Sequence, residues 1–299
     1  MFNNTFILTT LALLAFAANS VFCRLALGGD QIDAGSFTVI RLFSGCVFLA
    51  IFLAVKRYYV IATQNSVSIG NNSLVATSKG SWSSSIWLFI YALAFSYAYI
   101  QLDTATGALV LFATVQVTML VIGLCKGRTL SIAEWLGLLL AIAGFIYLLA
   151  PQVQSPSLIA FMLMTLAGIS WALYTLAGKK STDPSSDTIF NFFRTLPFIF
   201  VLMLLNINFA ELTTPGVTNA ILSGVLASAV GYLLWYQALK NLRHNVAAVV
   251  QLLVPVLAAV AGFFIVGENI SFAFVISSSM ILGGILLVVK NPKLRFFKK

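Results

Sequence analysis

The sequence predicts an all-α integral membrane protein of ten transmembrane helices in two inverted five-helix repeats, with N- and C-termini cytoplasmic. Composition, the length of the apolar runs and the placement of the basic residues predict it. Of the 299 residues 60% are hydrophobic and 8% charged, against about 25% charged in a soluble domain. That is too little polar surface to face water, and the mean hydropathy of +1.00 agrees. In lipid the backbone must satisfy its own hydrogen bonds, in helices or a closed barrel. The apolar runs last about 18 to 23 residues without alternation, which selects helices.

Runs and breaks mark spans 1 to 5 at Thr5–Leu27, Ser36–Val55, Ser85–Leu102, Thr106–Cys125 and Ala133–Ala150. Spans 6 to 10 follow at Ser157–Ala177, Asp187–Leu205, Val217–Leu239, Val246–Val266 and Phe272–Val289. The repeats thus occupy residues 1–151 and 152–299, the second with a basic tail. A stretch over about 56–84, rich in Ser, Asn and Thr, reads as a flexible cytoplasmic loop. Span 1 is too long for the apolar part of a leader and nothing basic precedes it, so it reads as a retained helix.

Charge tests the helix count. With the N-terminus inside, the inner connections hold Lys56, Arg57 and Lys79, then Lys126 and Arg128, then Lys179 and Lys180, then Lys240 and Arg243. The tail adds Lys290, Lys293, Arg295, Lys298 and Lys299, so fourteen of the seventeen basic residues lie on one side. The outer connections carry Asp30, Asp33, Asp103, Glu211 and Glu268 and no Lys or Arg. Cytoplasmic loops carry this excess of Lys and Arg in membrane proteins. The net charge of +9 is explained by topology and by lipid headgroups, without nucleic acid.

The halves repeat. Shifting the second back by 140 residues sets Ala98 on Ala238, Ala108 on Ala248, Gly127 on Gly267, Ser131 on Ser271 and Gly144 on Gly284. Earlier positions match at slightly different offsets, Ser20 with Ser170 and Arg41 with Arg194. Five helices per half is an odd number, so the second half enters the membrane from the opposite side. The basic turn Lys126-Gly127-Arg128 and its acidic counterpart Val266-Gly267-Glu268 fit opposite faces. In each turn glycine ends one helix and serine caps the next, and Ser131 with Glu134 has capping-box spacing. Inverted halves can exchange conformations and open a central site to either side, which favours transport.

Other chemistries lack their residues. Cys23, Cys46 and Cys125 lie in or at the ends of apolar runs and read as small apolar packing groups, and His244 cannot build a zinc site with them. No CxxC, GxSxG, P-loop or HExxH pattern occurs, so neither covalent chemistry nor a cofactor is implied.

Several of these residues carry a resemblance. Asn19-Ser20-Val21 with Arg24, an arginine early in spans 2 and 7, and Trp235-Tyr236-Gln237-Ala238-Leu239-Lys240 running on to Ala247-Ala248 resemble the drug/metabolite transporter superfamily. Pro255, Gly267-Glu268 and Gly283-Gly284 continue the likeness, specifically to proteins with two EamA domains. Val115 stands where members often have proline, and Arg128 replaces a usual glutamate. The resemblance implies a ten-helix carrier of the bacterial inner membrane with a cavity lined by spans 1, 3, 4, 6, 8 and 9. It also implies export of small metabolites such as amino acids or amphipathic toxic compounds.

Polar and aromatic groups inside spans are the candidates for the cavity, because burying them in a membrane is costly. Span 1 offers Asn19 and Ser20, span 4 Thr114 and Gln116, and span 6 Ser170, Trp171 and Tyr174. Span 9 offers Gln251, while Tyr97, Tyr99, Tyr236 and Gln237 lie nearer the faces. Each has a plainer reading as helix glue or interface anchor. Arg24 and Arg41 fall toward the outer face near Asp30 and Asp33, and Arg194 toward the inner face near Asp183 and Asp187. They read as interface pairs or, more sharply, as alternating gates. All eight carboxylates lie near helix ends or in turns, so no proton carrier sits mid-span and the reading leans to facilitated diffusion or exchange. A membrane-embedded enzyme acting on lipid-linked substrates, or a channel or scaffold, are the alternatives. Gly137, Gly144, Gly283 and Gly284 permit close helix packing, and a homodimer is sterically permitted.

Overall fold

The computed structural model describes residues 2–64, 79–125, 127, 131–148, 157–179, 181–208, 210–242, 247 and 250–290. Much of the expected loop (65–78), the charges of the Lys126–Arg128 turn, the junction at 149–156 and the basic tail (291–299) lie outside the described residues.

The described residues are helical. In order they form α1 (Phe2–Leu27), α2 (Ala34–Gln64), α3 (Trp82–Ala98), α4 (Thr104–Cys125), α5 (Ile132–Leu148) and α6 (Leu158–Gly178). Then come α7 (Pro184–Phe193), α8 (Leu196–Asn206), α9 (Thr214–Leu222), α10 (Gly231–Asn241), α11 (Leu253–Ala261) and α12 (Phe272–Lys290). Six stretches are long and apolar enough to cross a membrane: Thr5–Leu27, Ala34–Lys56, Thr104–Cys125, Leu158–Gly178, Pro184–Asn206 and Thr214–Asn241. Ile132–Leu148, Leu253–Val266 and Phe272–Val288 are shorter apolar helices. Phe6, Phe43, Ile51, Leu139, Ile159 and Phe264 stand exposed on the outside of the bundle, as a lipid-facing surface requires.

Three helices depart from the expected spans, each for a local reason. α2 runs on to Gln64, nine residues past Val55, because no glycine or proline occurs between Cys46 and Ile69 to stop it. Span 7 breaks between α7 and α8, where Pro197 cannot donate to the carbonyl four residues back and Thr195 Oγ1 bonds Phe192 O instead (2.7 Å). Between α9 and α10, Ser223–Val230 is π-helical. Its wider turn brings residues five apart nearly into line, so Ser223 and Ser228 both face the bundle interior.

The expected turn chemistry is present. Ser131 N–H donates to Glu134 Oε2 (2.7 Å), Phe274 N–H donates to Ser271 Oγ (3.1 Å), and Gly127 and Gly267 hold φ of +84° and +78°. α7 starts on Asp183 as cap with Pro184 in its first turn.

α1 packs against the Thr214–Asn241 stretch and α11, while α6 packs against α3 and α4. α2 lies along α8 and the π-helical turn, and α4 meets α11. α5 and α12 pair most intimately: a β-carbon on Gly137 would come within 2.5 Å of Gly284 O, and one on Gly284 within 2.4 Å of Gly137 O. Gly137 and Gly284 are therefore engaged within the chain, backbone on backbone, whereas a β-carbon on Gly283 would meet nothing within 4 Å.

At the end of the bundle that carries Arg24, the α1–α2 turn is tied to the loop before α9. Ile32 bridges Leu212, and Thr213 donates its N–H to Gln31 O (3.1 Å). Asp33 accepts from Ser36 N–H (2.8 Å), Asn206 Nδ2 (2.6 Å) and Glu211 N–H (3.1 Å). Burial pushes the Asp33 carboxyl up, but these hydrogen bonds outweigh it and hold it below the usual carboxylate range. A depressed folded-state pKa stabilises above the unfolded value and loses that contribution as pH falls through the folded one. The melting temperature of the parent should therefore drop on acidification below the ordinary Asp range, and Asp33→Asn should flatten that drop. Parallel pH–melting profiles of the two proteins check it.

Candidate functional site

The chemistry gathers around Arg41. This arginine is the eighth residue of α2, about 10 Å along the helix from its start. It is 1% exposed. A charge at that depth costs roughly 2.5–3.5 kcal/mol on insertion scales, so its partners matter. Its Nε donates to Ser228 Oγ (3.1 Å), and Nη2 donates to Tyr91 Oη (3.2 Å) and Tyr232 Oη (3.1 Å). The guanidinium also lies 5.3 Å from the Tyr91 ring centre and 5.1 Å from that of Phe95. Nη1 has no partner among the described residues. None of the eight carboxylates pairs with Arg41; the ion pairs between described residues belong to Arg24.

The network reaches α1. Asn19 Nδ2 donates to Tyr91 Oη (3.2 Å), and Ser223 Oγ donates to Asn19 Oδ1 (2.6 Å). An aromatic wall stands beside it: Trp171 lies 4.8 Å from Tyr232, 5.0 Å from Tyr91, 5.5 Å from Phe16 and 5.6 Å from Tyr174, centre to centre. Trp171 Nε1, Trp235 Nε1 and Ser170 Oγ are buried with no partner among the described residues. Buried polar groups are nearly always bonded, so these unmet groups stand out in the core. One helical turn further toward Lys240, Tyr174 and Tyr236 stack at 5.3 Å, and Tyr236 Oη donates to Tyr174 O (3.1 Å).

The two ends of the bundle differ. At the Lys240 end a cleft of about 380 Å³ is lined by Thr5, Leu8, Asp183, Ser185, Gln237 and Lys240. A second, of about 220 Å³, lies there between α3, α6 and α7, beside Ser84, Gly178 and Asn191. At the opposite end Arg24 Nε donates to Glu268 Oε1 (3.0 Å) and Nη2 reaches Asp103 (3.5 Å). Glu268 also accepts the Thr104 N–H (2.9 Å), so one carboxylate joins α1, the start of α4 and the turn before α12. Burial pushes its carboxyl above the usual carboxylate range, against the pull of Thr104 and Arg24.

Cys23, fully buried and next in sequence to Arg24, reports on this closure. A hydrogen bond to a charged group is worth about 1.5–3 kcal/mol. Glu268→Gln should therefore speed maleimide labelling of Cys23 about tenfold in purified protein in which the exposed Cys125 is replaced by serine. Unchanged labelling would reduce the cluster to an ordinary interface contact.

The structure brings together Asn19, Arg41 and Trp171, with Tyr174 and Tyr236 one turn away. Ser20 and Ser170 are buried, and neither hydroxyl has a hydrogen-bond partner within normal distance among the described residues. Thr114 packs against Gly168, Gln116 is buried, and Gln251 donates to Ala247 O (3.1 Å), four residues back. Tyr99 is buried at the Arg24 end, its hydroxyl on Thr104 O (3.2 Å). Tyr97 is 40% exposed on the outside of α3, and exposed Gln237 reaches Ser185 (3.4 Å) at the cleft.

The arginines do not find the carboxylates expected for them. Arg24 pairs with Glu268 and Asp103 rather than Asp30 or Asp33, Arg41 points away into the core, and Arg194 donates to Lys79 O beside the Trp82 ring. Closeness in the chain does not decide the pairing, because the partners arrive from distant segments. Sequence reasoning also missed Tyr91, Tyr232, Ser223 and Ser228. The available signal was depth, since a tyrosine at mid-helix has no interface to anchor.

Residues 158–290 match the EamA-like transporter family. The chain is 44% identical to an uncharacterized protein of Pseudomonas aeruginosa, over 95% of this chain and 94% of that one. It is 25% identical to an uncharacterized transporter of Archaeoglobus fulgidus, over 96% of this chain and 98% of that one. A solved crystal structure at 17% identity shares the fold with a TM-score of 0.59, covering 93% of this chain and 95% of that one.

Proposed function

Because the chain belongs to the EamA-like transporters of the drug/metabolite transporter superfamily, we propose that this multi-pass membrane transporter is an alternating-access carrier that exports small organic metabolites across the bacterial inner membrane. The substrates in view are amino acids or amphipathic and toxic compounds. The observation that carries the reading is the polar and aromatic centre at Arg41, sunk among α1, α2, α3, α6 and the Thr214–Asn241 stretch.

Ten spans in inverted halves, 1–151 and 152–299, suit that role, and the packing supports them. The contacts of α1 with Thr214–Asn241 and with Leu253–Val266 recur as contacts of α6 with α3 and with α4. Gly127 and Gly267, 140 residues apart, share a left-handed backbone. With the basic loops cytoplasmic, the clefts at the Lys240 end face inward and the Arg24–Glu268–Thr104 cluster closes the outer end. A solute entering from the cytoplasm meets the Tyr174–Tyr236 stack first and Trp171 and Arg41 beyond it.

The test is flux in liposomes holding the purified chain, across labelled amino acids, aromatic acids and aromatic cations, with and without a pH gradient. Saturable, gradient-insensitive flux of one class is expected, since every carboxylate lies at a helix end or in a turn. Flux that needs the gradient would overturn the facilitative part of the reading, and unsaturable conduction would make the protein a channel.

A further inference from the structure

We propose that the centre at Arg41 recognises a carboxylate carried on an apolar or aromatic body, and that the favoured substrate is a monoanionic organic acid without a free ammonium group. This rests on the carrier reading and narrows it. Among the described residues Arg41 is a buried cation with three hydroxyl partners, no carboxylate partner and one guanidinium nitrogen unmet. Hydroxyls donated to in this way solvate the charge but do not neutralise it, so the site keeps a net positive charge in a low-dielectric place. A guanidinium presents paired N–H groups in the plane and spacing that match a carboxylate. Of the groups nearby that are unmet among the described residues, Trp171 Nε1 and Trp235 Nε1 can only donate and the Ser170 and Tyr174 hydroxyls can donate as well as accept, so each can serve an anion.

The same inventory disfavours an ammonium. The Tyr91 and Tyr232 oxygens already accept from Arg41, and Asn19 Oδ1 accepts from Ser223. Glu268 and Asp103 are held by Arg24 at the end of the bundle. Gln251 Oε1 is an unmet acceptor among the described residues, but a neutral amide oxygen is a poor counterpart for a full positive charge. Beside the charge, Phe16 meets Trp171 and Trp235 edge to face (5.5 and 5.7 Å), an apolar aromatic wall for the rest of the molecule.

Equilibrium binding to the purified full chain separates the possibilities, using labelled phenylacetate, indole-3-acetate and hexanoate. Unlabelled phenylacetamide, phenylethylamine and phenylalanine serve as competitors. At least one acid should bind saturably, and the amide, the amine and the zwitterion should each compete at least tenfold more weakly. Arg41→Met should abolish binding and Arg41→Lys weaken it about tenfold, since lysine keeps the charge and loses the paired N–H groups. If Arg41→Met does not fold, Arg41→Lys decides. The proposal is overturned if no acid binds, if the amine or amide competes equally, or if Arg41→Lys binds like the parent. Acid binding without flux would sink the carrier reading and leave the anion site standing. Flux of cations indifferent to Arg41 would do the reverse.

Discussion

Arg41→Met is expected to lower saturable flux at least a hundredfold while leaving the yield of folded, inserted protein close to that of the parent. Two opposing terms partly offset each other in the folding balance. The substitution forfeits three hydrogen bonds from a charged donor, each about 1.5–3 kcal/mol at most, to Ser228, Tyr91 and Tyr232. It also removes the roughly 2.5–3.5 kcal/mol cost of a charge at depth, and methionine fills the stem volume. Tyr91 and Tyr232, with ring centres 6.5 Å apart, can turn their hydroxyls to one another. Function has no such compensation, because nothing else in the centre supplies positive charge. Flux and the yield of monodisperse protein, measured on one preparation, check this. Parent-like flux would make Arg41 a packing group, and loss of both together would make it a folding group.

Gly284→Ala should lower the melting temperature by roughly 2–5 °C, through about 1–3 kcal/mol of overpacking, and Gly283→Ala should leave it unchanged or slightly higher. The two glycines are neighbours on α12 with opposite surroundings. A β-carbon on Gly284 meets the Gly137 carbonyl at 2.4 Å and the Ala141 nitrogen at 2.8 Å, both backbone atoms that cannot step aside. One on Gly283 meets nothing within 4 Å, so alanine there only reduces the freedom of the unfolded chain. In lipid no hydrophobic effect pulls helices together, so close backbone approach carries the α5–α12 association and its loss should be felt in full. Equal melting of the two variants would show that the pair is held by other contacts.

Much of the architecture is legible in the residues. Composition and run length determine that the chain lives in lipid as helices, since both are local sums over neighbouring side chains. The Gly127 and Gly267 turns and the Ser131–Glu134 box are equally readable, because each needs only residues within one turn of each other. A resemblance carried by short stretches such as Asn19-Ser20-Val21 and Gly267-Glu268 was enough to point at the family. The π-helical turn at Ser223–Val230 and the length of α2 were not legible to the same degree. The first depends on Gly224 packing against the Arg41 carbonyl, and the second on where an uninterrupted helix leaves the membrane.

The candidate site divides along the same line. Asn19, Trp171 and Tyr174 stand out by themselves as polar or aromatic groups at depth, and the sequence alone determined that such residues exist and that no carboxylate accompanies them. It takes the packing of the helices to set Arg41 against Tyr91, Tyr232 and Ser228 instead of Asp33, and Arg24 against Glu268, 244 residues away. The physical reason is range. Hydropathy and capping are set by neighbours in the chain, whereas the partner of a buried charge is whichever group the packing of distant helices brings within about 3 Å of it.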